Sequence, residues 1–174
     1  MPASSLLRLS CLLAAMTVVV SCAKGVPGGF WAEYRAESIV DQSSDQGPWG
    51  GVRWVHWVAP APGALTPAEA VQFAAAHGWT CQKPVNYSAE QIREWQYSGK
   101  PVFPLRFGPA DRRPDNGAVQ ELPRHIDGDS WVIQCDSGWV RVEPGSGKDT
   151  PAYGYIQLDR PGTRMAVYHL WGEI

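Results

Sequence analysis

The chain has 174 residues, room for one domain and a short appendage, because domains usually run to about 100–200 residues and a second core would lack material. Hydrophobic residues make up 44% and charged residues 18%, which excludes a disordered chain, since enough apolar side chains are present to offset the entropy of ordering. The formal net charge is −2, and no basic patch or interleaving of basic and aromatic residues stands out, so nucleic acid is excluded as a partner.

In chain order, residues 1–8 carry one positive charge, Arg8, and residues 9–20 form an apolar run interrupted only by Ser10, Cys11 and Thr17. This is the shape of a secretory signal peptide; a membrane-spanning helix needs about 20 predominantly apolar residues. The run ends in Val19-Val20-Ser21-Cys22, which resembles the lipobox of bacterial lipoprotein precursors, with Val where Leu is commoner. The resemblance covers the first 22 residues. It implies a signal peptide over 1–21, cleavage before Cys22, a diacylglycerol on the Cys22 thiol and further acylation of the new amine by a chain such as palmitate. Several acyl chains anchor firmly, because each buried CH₂ contributes about 0.8 kcal/mol. Ala23 follows the cysteine where inner-membrane retention favours Asp, so for a Gram-negative cell the resemblance implies an outer-membrane anchor with the domain facing the periplasm. Loss of the leader removes Arg8 alone, leaving 14 basic against 17 acidic residues and a net charge of −3.

Cys11 lies too close behind Arg8 to follow an apolar run, so it is not a second lipid acceptor. Cys81 and Cys135 remain. They read either as a disulfide, which an oxidising envelope would keep and which would stabilise by about 4 kcal/mol through loop closure, or as two buried thiols. Neither has the C-x₂₋₄-C or histidine spacing of a zinc site.

Residues 22–30, with Gly25, Pro27, Gly28 and Gly29, read as the lipidated cysteine and a flexible tether, and 31–174 as a single globular domain. A first strand is expected over 31–40, a loop over 41–51, and a second strand over 51–59 with Trp54 and His56 on one face and Val55 and Trp57 on the other. Thr66-Pro67-Ala68-Glu69 caps a helix that should stop at His77, with Gly78 beyond it and Trp79 packing back on the last turn. Ser88-Ala89-Glu90-Gln91 caps a second helix ending near Gly99, with Ile92 and Trp95 inward. An edge strand over 102–107 contains Pro104, and 108–117 is a polar loop. Residues 131–135 and 139–143 flank Asp136-Ser137-Gly138 as a hairpin; 152–159 and 164–171 flank Pro161-Gly162 as another. The fold class expected is α+β, an antiparallel sheet of about five to seven strands with two helices packed against it.

Three features bear on chemistry. Residues 144–149, Pro-Gly-Ser-Gly-Lys-Asp, resemble a phosphate loop only at a glance: Val142 takes the first glycine position, Asp149 replaces Ser or Thr, and strands follow. His125, Asp127 and Asp129 sit on alternate residues and could ligate a divalent ion or serve acid–base chemistry, or form a polar turn whose carboxylates bond their own backbone. The remaining histidines have no sequence-local Ser or Cys partner, and no G-x-S-x-G elbow exists. Arg112 and Arg113, in a loop of mixed charge, are candidates for bidentate contact with a partner's carboxylates. Nine tryptophans leave room for one or two at a contact surface. The expectation is a lipid-anchored module that binds a protein, such as an envelope factor or an inhibitor, with no cofactor implied; the alternative is an envelope hydrolase whose residues meet only in the fold.

Overall fold

The structure is a computed structural model, and it describes residues 27–46, 50–104, 122–142, 145, 147 and 149–173. Among the described residues nine strands run in chain order: β1 Ile39–Gln46, β2 Gly50–Val58, β3 Thr80–Cys81, β4 Val85–Tyr87, β5 Gln96–Tyr97, β6 Lys100–Pro101, β7 Ser130–Val142, β8 Asp149–Asp159 and β9 Arg164–Glu173. Seven form one sheet in the order β1-β2-β9-β8-β7-β3, with β4 also on β7, and β5 and β6 make a separate ribbon. The pairings are antiparallel except where Arg141 and Val142 of β7 meet Gly172 and Glu173 of β9 in parallel.

Alternation along β8 and β9 splits the core between the two faces of this sheet. Ile156, Leu158, Met165 and Val167 join Trp31, Trp57 and Trp79 on the first face, while Tyr155, Ala166 and Tyr168 join Ile92, Trp95 and Phe103 on the second. Strands covered on both faces read as near-continuous apolar runs, as these do.

The α+β expectation is therefore wrong: the fold is mostly sheet. Helix α1, Pro67–Ala76, has 10 residues and fully buries only Ala70 and Ala74, and α2, Ala89–Arg93, has five and buries Ile92. Neither makes a layer. The first face is closed by α1 with the 3₁₀ turn at Gly29–Glu33, the second by α2 with irregular chain at 102–104 and 122–126. The second helix ends at Arg93 rather than near Gly99, and Gln96–Tyr97 then fold onto Lys100–Pro101 through a tight turn in which Ser98 and Gly99 both adopt positive φ, 50° and 78°.

Three further expectations shift. The strand expected over 31–40 begins only at Ile39: two 3₁₀ turns, Gly29–Glu33 and Ala36–Ser38, precede it, and Trp31 in the first and Tyr34 just after it are both buried in the core. Most of the expected loop at 41–51 is strand, the end of β1 and the start of β2; beyond Ile39 and Val40, β1 is polar and exposed and owes its extension to pairing with β2. Asp136-Ser137-Gly138 does not reverse the chain: it is a bulge inside one long strand, with Asp136 Oδ1 accepting from the Gly138 N–H at 2.8 Å and Gly138 at φ 72°.

Local signals elsewhere hold. Thr66 Oγ1 accepts from the Glu69 N–H at 3.3 Å, and Gly78 and Trp79 donate back to Ala75 and Ala74 in a Schellman stop. Ser88 and Gln91 complete a reciprocal box, and β2 presents Trp54 to the second face and Trp57 to the first.

Candidate functional site

The alternating trio diverges in space. Asp127 Oδ1 accepts from Arg124 Nε at 2.7 Å, and Arg124 Nη1 also donates to the carbonyls of Ile92 and Trp95, closing the end of α2. Asp129 Oδ1 accepts from the Ala89 N–H at 2.7 Å and so anchors the start of α2. His125 turns the other way, onto His56. Among the described residues no three His, Cys, Asp or Glu side chains gather as a metal site. Cys22, Arg112 and Arg113 lie outside the described residues. Cys81 and Cys135 are cross-strand partners of β3 and β7 joined by a disulfide.

His56 and His125 stack with ring centroids 4.6 Å apart and planes at 21°, and Trp54 meets His125 at 4.7 Å. Nearly parallel rings send their in-plane lone pairs side by side rather than to one point, which suits packing better than shared coordination. Burial pushes the His56 imidazole down to about 4, helped by repulsion from His125 and Arg164 and opposed by Asp41. Burial also lowers His125, with Asp41 opposing and Arg164 assisting.

A second pair was invisible in the sequence because its members are far apart. His169 Nε2 lies 2.8 Å from Ser137 Oγ, inside the first face. Ser137 Oγ also lies 2.8 Å from the Ala152 carbonyl, which can only accept, so the hydroxyl hydrogen goes there and the imidazole carries its proton on Nε2. Such a serine is not poised as a nucleophile, and both side chains are buried. Burial drives His169 down to about 3, Arg53 adding to this and the Pro27 backbone opposing it. The pair instead pins the bulge of β7 to β9.

Beyond that bulge the hairpin continues as an arm, residues 139–142 of β7 with 149–152 of β8. The register sets Trp139 beside Ala152 and Val140 beside Pro151, on opposite faces of the arm. Trp139 is 43% exposed and Val140 45%. Every other described tryptophan is buried or half-buried. The parallel pairing of Arg141 and Val142 with the end of β9 braces the arm, so Trp139 is presented on a supported element. The number of tryptophans left room for one or two at a surface; which one depended on the bulge.

No protein-family model, no curated protein and no solved structure matches this chain.

Proposed function

We propose that this chain is a lipid-anchored envelope lipoprotein, held through Cys22 at the outer membrane of a Gram-negative cell, whose domain works by binding a protein through the Trp139–Val140 arm. The observation that carries the binding reading is the exposure of a tryptophan and a valine on a braced hairpin arm. Tryptophan recurs at the energetic centres of interfaces because one ring removes a large area from water at little rotamer cost. The leader and Val19-Val20-Ser21-Cys22 support the anchor, and the Cys81–Cys135 bridge suits an oxidising compartment.

Intact mass tests the anchor: loss of residues 1–21 with a diacylglycerol-sized increment that Cys22→Ser abolishes is expected, and an increment that survives the substitution contradicts it. Photo-crosslinking in intact envelopes tests the arm, with a benzophenone side chain in place of Trp139 or Val140. A discrete protein adduct from these positions, absent from the exposed control positions Val58 and Val85, is expected. Adducts to lipid alone would make the arm a membrane seat and overturn the protein-binding reading.

A further inference from the structure

Residues 122–126 cross the second face of the sheet without forming a strand, apart from a single bridge. Their polar ties include these: the Phe103 N–H donates to the Leu122 carbonyl at 2.9 Å, Val102 bridges Pro123, Arg124 donates to the α2 carbonyls, the His125 N–H reaches Tyr168 Oη at 3.4 Å, and Gln157 Nε2 donates to the Ile126 carbonyl at 3.2 Å. Leu122 and Ile126 add buried side chains to the second core, and the remaining contacts are ring on ring. His125 stacks on His56 at 4.6 Å, Trp54 closes on His125 at 4.7 Å, and Phe103 lies flat on Tyr168 at 3.8 Å. Both histidine Nε2 atoms are buried with no hydrogen-bond partner.

While neutral, the two imidazoles pack as small aromatics. Doubly protonated, they would set two cations face to face and leave two buried N–H donors without acceptors. The surrounding charges allow one proton but not two. Asp41 of β1 sits opposite His56 in the register and attracts a proton to either ring; Arg164 of β9 repels it. Arg124 on the segment and Asp127 just beyond it are engaged with each other, and Tyr168 supplies only its hydroxyl. A second proton therefore has no counter-charge.

We propose that His56 and His125 form an acid-operated latch: while both rings are neutral, residues 122–126 stay clamped over the sheet, and when both are protonated the segment releases and uncovers the Trp54–Tyr168 surface. The latch depends neither on the lipid anchor nor on the arm. Depression of both imidazoles by burial keeps it closed at neutral pH.

Amide hydrogen exchange on the full chain, compared as protection factors at about pH 7 and about pH 3.5, tests it. Phe103 and His125 amides are expected to lose protection by about tenfold or more at the acid pH, while Ile156 and Val167 in the central strands keep theirs. His56→Gln and His125→Gln, each leaving one titratable ring, are expected to keep the segment protected. Equal loss in either variant, or no selective loss in the parent protein, overturns the latch. Proton NMR titration of the two rings in the parent protein is a check that needs no variant: both rings should titrate in the window where the amides open, and opening ahead of the rings contradicts it.

Discussion

Gly154 lies directly beneath the Trp79 indole, and a Cβ there would fall within the ring. The ring has little freedom to retreat, since Phe30 and Trp31 pack on it at 5.4 and 5.7 Å and His169 at 5.2 Å. Gly154→Ala is expected to destabilise by about 3 kcal/mol or more, at the top of the overpacking range, as measured by urea unfolding; a loss below about 1 kcal/mol would mean the indole swings aside. The residues around Gly154 carry no hint of this, because the ring comes from the end of α1. The same distance hid the Ser137–His169 pair. By contrast Thr66, Gly78, Ser88 and the Pro161-Gly162 turn were legible, because caps and tight turns are decided within a few residues.

At the scale of elements, errors arose where tertiary pairing outweighed local preference. The residues of β1, Ile-Val-Asp-Gln-Ser-Ser-Asp-Gln, have little strand propensity beyond the first two and are extended because β2 pairs with them. β3 is the opposite case: it has two residues, and its place on β7 is secured by the Cys81–Cys135 bridge, which closes a separation of 54 residues. Chain entropy sets the stabilisation at up to about 4 kcal/mol. Reduction is expected to lower the unfolding free energy by about 2–4 kcal/mol in urea titrations with and without reductant; a change under about 1 kcal/mol would mean that sheet contacts alone hold β3. The arm was half legible: its β7 half was expected as a strand over 139–143, but its β8 half was expected only from 152, and the bulge that carries β7 onward was taken for a turn.

For the whole molecule the class was wrong, because short capped helices signal strongly in sequence while the 3₁₀ turns and irregular chain that help to close the faces of the sheet do not. That burial also sets the response to acid. His56, His125 and His169 all have imidazoles lowered from the ordinary value of 6.5, so the unfolded chain takes up protons that the folded protein refuses. Their contribution to stability is complete above about pH 6.5 and is lost as the pH falls toward their folded-state values, about 4 for His56 and about 3 for His169. Between about pH 6.5 and 5, unfolding should take up roughly two to three protons, and His56→Gln should flatten the slope. A stability that is flat across that window would show the three rings to be open to solvent.

Partner binding is the centre of this reading, and a binding titration of Trp139→Ala against the protein crosslinked at the arm tests it most directly. An interface anchor contributes about 2 kcal/mol or more, so the dissociation constant should rise by roughly thirtyfold while unfolding free energy changes by less than about 1 kcal/mol. An unchanged dissociation constant in a folded Trp139→Ala protein would contradict the assignment of the arm as the contact surface.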